Sequence, residues 1–281
     1  MTNYAHPEVL VETDWVRDHV NDPDIKIVEI DVDTRAYDSG HIPGAIGFNW
    51  RSQLQDQVRR DIVSTQKFAD LVGGAGISPS DTVILYGDNN NWFAAYGFWL
   101  FKLYGHDDVR LMNGGRVKWL KESGPLTTEM PTLTAVSYPV TNARMEYRAM
   151  LPEVMDASAG SSRNLVDVRS PDEFTGKIIA PPDLPETAQR GGHIPGATNV
   201  PWVTAVNTDD GTFKAADDLR KIYIDAAGID TNKPTIAYCR IGERSSHTWF
   251  VLKYLLGLPD VKNYDGSWTE YGNLIAAPID R

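Results

Sequence analysis

The chain has 281 residues, a formal net charge of −11, 42% hydrophobic residues and one cysteine. Its acidity argues against general nucleic-acid binding, which needs a basic surface, and a lone cysteine excludes an intramolecular disulfide or a thiolate-held zinc or iron–sulfur cluster within one chain. The length suits two domains of about 100–200 residues each.

Taken from the N-terminus, Met1 to Glu8 lacks the basic and apolar regions of a secretory signal. No apolar run approaches the ~18 residues of a membrane span, and a free thiol fits a reducing compartment, so a cytoplasmic protein is expected. Ile25 to Ile30 reads as a strand. Phe68 to Gly73 ends a short helix. Thr82 to Tyr86 is a strand, followed by a helix from about Trp92 to Leu103, a short strand from Val109 to Met112, and a helix from Val117 to Glu122 after the Gly114-Gly115 turn. Gly124 to Arg144 carries Pro125, Pro131 and Pro139 among Thr and Ser and reads as an interdomain connection. The same order then returns, with elements expected at Asn164 to Val168, Ala215 to Ala226, Thr235 to Tyr238, Ser246 to Leu256 and Val261 to Tyr264. Apolar strands separated by helices predict an α/β chain, each half a mostly parallel sheet with helices on both faces.

The return is a repeat. Gly40-His41-Ile42-Pro43-Gly44-Ala45 recurs as Gly192-His193-Ile194-Pro195-Gly196-Ala197, and the same offset of 152 carries Trp50 onto Trp202, Tyr86 onto Tyr238 and Gly114 onto Gly266. Upstream, Ile30-Asp31-Val32-Asp33 matches Val166-Asp167-Val168-Arg169 at an offset of 136, leaving about sixteen extra residues near Thr175 to Arg190 of the second copy. The expected division is a first domain over 1–124, a linker over 125–144 and a second domain over 145–281.

The two copies differ where chemistry is expected. Cys239 ends the strand Thr235 to Tyr238, and the chain runs through Arg240, Ile241, Gly242, Glu243 and Arg244 to a helix for which Ser245 or Ser246 is the expected N-cap. The backbone amides of Ile241, Gly242, Glu243 and Arg244 are expected to face the sulfur, and glycine at 242 allows the turn. A helix N-terminus and two arginines favour thiolate over thiol, which predicts a pKa below the usual ~8.5. The first copy has Gly87, Asp88 and Trp92 where the second has Cys239, Arg240 and Arg244. It is therefore expected to be catalytically silent. His41 and His193 occur in both copies and read as structural. Asp167 and Arg169 read as a supporting acid and its ion-pair partner.

Cys239-Arg240-Ile241-Gly242-Glu243-Arg244-Ser245 resembles the active-site loop of the two-domain rhodaneses, the thiosulfate sulfurtransferases, and is most like bacterial, actinobacterial-type members. The resemblance covers the whole chain and implies two tandem rhodanese-like domains. It implies that Cys239 takes the sulfane sulfur of thiosulfate as a persulfide and passes it to cyanide or a thiol, by ping-pong chemistry that needs no metal or organic cofactor. Arg240, Ile241, Gly242, Glu243, Arg244 and Ser245 would line the substrate, with Asp167 supporting. Nucleic-acid and membrane partners are not expected, and a monomer is. The chain departs from some members in having Ile241 in place of a lysine and Glu173 near the place of a substrate-binding arginine. The alternatives are a 3-mercaptopyruvate sulfurtransferase, whose loop typically reads Cys-Gly-Ser-Gly; a phosphatase or arsenate reductase, the phosphatases using Cys-x5-Arg where this chain has Cys-x4-Arg; and a non-catalytic sulfur carrier.

Overall fold

A computed structural model of the chain describes residues 3–160, 162–182 and 187–281. It divides into two compact units, one of residues 8–144 with 207–213, the other of residues 1–7, 145–206 and 214–281.

The first unit holds β1 (Leu10–Val11), β2 (Ile25–Asp31), β3 (Ile46–Asn49), a small antiparallel ribbon of β4 (Gln55–Asp56) and β5 (Asp61–Ile62), then β6 (Thr82–Tyr86) and β7 (Val109–Met112). Its five-stranded sheet runs β1-β7-β6-β2-β3, with every pairing parallel. The second unit holds β8 (Asn164–Asp167), β9 (Ala197–Asn199), β10 (Thr235–Tyr238) and β11 (Val261–Tyr264), in the order β11-β10-β8-β9 and again all parallel. Val28 and Ile30 of β2 and all four residues of β10 are buried. This is the pattern of strands covered on both faces, where alternation gives way to continuous apolar runs. The second unit's core gathers Val154, Leu165, Ile194, Ile236, Tyr238, Tyr264, Trp268 and Tyr271.

β6, β7, β10 and β11 have the expected bounds. β3 and β9, which follow the two histidine motifs, were not expected. Neither is a pure apolar run: β3 reads Ile-Gly-Phe-Asn and β9 Ala-Thr-Asn. The helix expected from about Trp92 is preceded by Asn89, Asn90 and Asn91, all left-handed, with φ of 52°, 55° and 66°.

The register corrects the upstream alignment. Tyr86 pairs with Glu29 across β6 and β2, whereas Tyr238 pairs with Asp167 across β10 and β8. Glu29, not Asp31, is thus the counterpart of Asp167, at a shift of 138, and the second copy has about fourteen extra residues before its histidine motif. Of these, 183–186 lie outside the described residues. The corrected alignment pairs two buried ion pairs. Arg116 holds Glu29 at 2.9 Å, and Arg169 holds Asp167 at 2.6 Å. Each arginine also donates to the carbonyl of the first motif glycine, Gly40 or Gly192. Each tyrosine hydroxyl accepts the amide of the motif isoleucine, Ile42 or Ile194, at 3.2 Å. His41 stacks on Tyr37 and bonds its carbonyl, and His193 does the same with Phe174. A buried acid and arginine therefore tie the strand to the histidine loop in both copies, although the arginines come from different elements.

The stretch expected as an interdomain linker, 125–144, packs along the first unit. Thr127 and His41 exchange backbone bonds of 2.8 and 2.9 Å, Val136 donates to the Gly73 carbonyl at 2.9 Å, and Arg144 donates to that of Leu103 at 2.6 Å.

Candidate active site

Cys239 comes directly after β10, at the carboxyl end of a parallel strand, where open α/β sheets bind ligands. Gly242 lies at φ +100°, and a Cβ there would fall 2.8 Å from Asp265 Cα, so both conformation and space require glycine. The following helix, Glu243–Phe250, starts earlier than expected. Its N-cap is Gly242, not Ser245 or Ser246. The serine hydroxyls turn back instead: Ser245 Oγ donates to the Gly242 carbonyl at 3.1 Å and Ser246 Oγ does so at 2.6 Å. Ser245 Oγ also lies 2.6 Å from Asn263 Oδ1.

Cys239 is fully buried, but the groups around its sulfur are polar. The Gly242 amide donates to Sγ at 3.1 Å. Sγ lies 3.4 Å from Glu243 Oε2, 3.6 Å from Ser245 Oγ and 4.0 Å from Ser267 Oγ. Ser267 was not anticipated. Its hydroxyl accepts the Cys239 amide at 3.0 Å and donates to the Tyr264 carbonyl at 2.6 Å. The amides of Trp268 and Thr269 hold the carbonyls of Cys239 and Arg240, each at 3.0 Å. Ser267 has φ +51°, and Gly115, its counterpart at the offset of 152, has φ +53°. A serine standing where the other copy needs glycine was the available sequence signal. A non-glycine residue held left-handed at such a position is stored strain.

The electrostatics depart from expectation. The thiol is pushed up, first by burial and then by the Glu243 carboxylate, with Arg244 and Ser245 opposing. The expected lowering fails first because the thiol is buried, and also because the loop's cations have their own carboxylates. Arg244 makes two hydrogen bonds to Glu173, of 3.0 and 3.1 Å. Glu243 Oε1 lies 3.8 Å from Arg240 and 3.7 Å from Arg244. Glu173 is itself fixed by a capping box with Ser170. Burial raises its carboxyl, but the Arg244 hydrogen bonds and charge, the Ser170 amide and Arg169 together outweigh that and leave it lowered. Two arginines and two carboxylates thus share one buried site.

Of the residues expected to line the substrate, Gly242, Glu243 and Ser245 meet at the sulfur, Arg240 and Arg244 stand behind Glu243, and Ile241 is buried in the loop. Asp167 sits on the strand beside β10 and holds Arg169. In the first copy, a Cβ on Gly87 would fall 2.5 Å from the Ile30 carbonyl oxygen, so the backbone closes the position that Cys239 takes in the second. Asn91, the counterpart of Glu243, spends its carbonyl oxygen on the Gly87 amide at 3.0 Å. Among the described residues, no group of three or more His, Cys, Asp or Glu could hold a metal ion, and no helix is long and apolar enough to cross a membrane.

A family model described as the Rhodanese-like domain matches residues 12–122 and again 151–274. A Saccharopolyspora erythraea protein named "Putative thiosulfate sulfurtransferase" is 57% identical over 98% of this chain and 97% of its own length. A Thermus thermophilus protein named sulfur carrier protein TtuD is 54% identical over 98% of both. Among solved structures, the 3-mercaptopyruvate sulfotransferase SseA of Escherichia coli superimposes with a TM-score of 0.80 at 27% identity, covering 92% of this chain and 98% of that one.

Proposed function

This chain belongs to the rhodanese family of sulfurtransferases, and from that premise we propose that it moves the outer sulfur of thiosulfate to a thiophilic acceptor, cyanide or a thiol, through a persulfide on Cys239. The observation that carries this reading is the lone thiol at the end of β10, with the Gly242 amide 3.1 Å from its sulfur and two arginines in the same loop. A thiolate attacks sulfane sulfur, sulfite leaves, and the acceptor then takes the outer sulfur from the persulfide. The Gly242 amide stabilises negative charge on either sulfur species. Arg240 supplies charge for the sulfonate oxygens. The name of the 57% identical relative supports thiosulfate as the donor. On this reading the first copy does no chemistry, because it has Gly87 in place of the thiol.

A second reading, 3-mercaptopyruvate as donor, is favoured by one observation. Arg244 is held by Glu173 and leaves less unbalanced positive charge for a dianion. Incubating the protein with each donor and weighing it intact tests both readings. The expected result is a gain of about one sulfur atom on Cys239 from thiosulfate, lost on adding cyanide as thiocyanate appears. A gain from mercaptopyruvate alone selects the second reading, and no gain from either refutes both.

A further inference from the structure

The sulfur and a carboxylate face each other inside the loop. Sγ of Cys239 lies 3.4 Å from Oε2 of Glu243, and the Glu243 side chain is 2% exposed. Oε1 faces the two guanidinium groups at 3.8 and 3.7 Å, and Oε2 faces the sulfur. The sulfur's other close neighbours cannot take its proton. The Gly242 amide is a donor, and Ser245 at 3.6 Å and Ser267 at 4.0 Å are neutral hydroxyls that donate to the carbonyls of Gly242 and Tyr264. Burial first, and then the Glu243 carboxylate, disfavour the free thiolate, so attack on a sulfur donor is helped by a group that accepts the proton as the new bond forms.

Resting on the sulfurtransferase reading above, we propose that Glu243 is a catalytic proton acceptor that takes the Cys239 thiol proton during attack and returns it to sulfur afterwards. In the first half-reaction, Sγ bonds to the outer sulfur of thiosulfate. The sulfur–sulfur bond of thiosulfate breaks, its electron pair leaves on sulfite, and the proton passes from Sγ to Glu243 and then to the terminal sulfur of the persulfide. In the second, an acceptor thiol gives its proton to Glu243 and attacks that terminal sulfur. The persulfide bond breaks with its pair on Sγ, and Glu243 reprotonates Sγ. The first half ends with a neutral persulfide, and the second restores the Cys239 thiol and the Glu243 carboxylate. The charged groups around Glu243 are Arg240 and Arg244, then Glu173 behind Arg244, and Asp265 with its partner Arg148 beside Gly242.

The test separates proton transfer from plain electrostatics, because the two predict opposite signs. Glu243→Gln removes a negative charge beside the sulfur, so the thiol, followed by alkylation of the single cysteine, titrates at a lower pH than in wild type. If Glu243 only repels the thiolate, sulfur transfer to a thiol speeds up. If it accepts the proton, kcat falls by about 100-fold although thiolate is easier to form. Glu243→Asp, which keeps a carboxylate on a shorter stem, recovers part of that loss. A Glu243→Gln rate at or above wild type, or an Asp variant no better than Gln, overturns the proposal. Should neither variant fold, wild type alone decides. Proton acceptance puts the acid limb of kcat below the thiol titration, whereas coincidence of the two overturns it. Absence of any transfer by wild type overturns the underlying reading and the proposal together. Transfer by wild type that Glu243→Gln leaves unchanged overturns the proposal alone.

Discussion

Glu173 and Arg244, 71 positions apart, are joined by two hydrogen bonds of 3.0 and 3.1 Å, and both side chains are buried. This pair decides how much of the loop's positive charge is available to a substrate. Glu173→Gln releases the Arg244 guanidinium. Kinetics with thiosulfate are expected to show a KM lowered several-fold. Thermal unfolding is expected to show a loss of about 3 kcal/mol, because removing one partner of a buried pair leaves the other charge uncompensated. An unchanged KM with lowered stability limits Glu173 to a scaffolding role.

Arg240 is the other cation of the loop, 3.8 Å from Glu243 and buried. Arg240→Ala is expected to raise the KM for thiosulfate about tenfold or more, as loss of a charge-assisted hydrogen bond does, with a smaller effect on kcat. Steady-state kinetics measure both constants. If both stay at wild-type values, the sulfonate is bound elsewhere.

Ser267 combines a left-handed backbone, φ +51°, with a hydroxyl that anchors the Cys239 amide. Two substitutions separate these roles. Ser267→Gly relieves the strain, worth about 1 kcal/mol, but leaves the Cys239 amide unpaired, at a cost of about 2 kcal/mol, so it lowers stability by about 1 kcal/mol while sulfur transfer slows. Ser267→Ala keeps the strain and leaves the Cys239 amide unpaired, at a cost of about 2 kcal/mol. Denaturant unfolding and turnover of the two variants measure this. Equal stabilities rule out the strain.

His247 is fully buried against Trp202, and burial pushes its pKa down to about 3. Its folded value lies below the unfolded one of about 6.5, so between these values the unfolded chain binds the extra proton. Stability is therefore present above pH ~6.5 and lost as pH falls towards 3, at up to about 1.4 kcal/mol per pH unit. Asp31, raised to about 8 chiefly by burial, acts in the opposite sense: it favours the fold at low pH and loses that contribution as pH rises through 8. Comparing His247→Gln with wild type across pH 3.5–7 isolates the histidine, and the variant is expected to show the shallower acid loss. Parallel curves exclude His247 as an acid trigger.

The repeat, the parallel sheets and the place of Cys239 were legible because each is local. β6 and β10 are unbroken apolar runs with turns on either side, and the shift of 152 needs only identity to be seen. What was misread depends on partners distant in sequence. The Asp-Val-Asp likeness around Asp31 concealed that Tyr238 faces Asp167 where Tyr86 faces Glu29. Arg244 reads as a substrate-binding cation, and its partner Glu173 comes from another segment. Glu243 was anticipated for its backbone amide. Its carboxylate reaches the sulfur only because Gly242, not a serine, begins the helix.

Each copy also takes in a strip from outside its own span. Residues 1–7 belong with the second unit, where Ala5 and His6 donate to the carbonyls of Leu255 and Tyr254, and residues 207–213 belong with the first, where the Phe213 amide donates to Asn113. Cutting the polypeptide once, after Arg144, therefore yields two fragments that each lack part of their fabric. Isolating the thiol-bearing half as a free-standing molecule calls for splicing its N-terminal strip back on, because no single scission parts the two units.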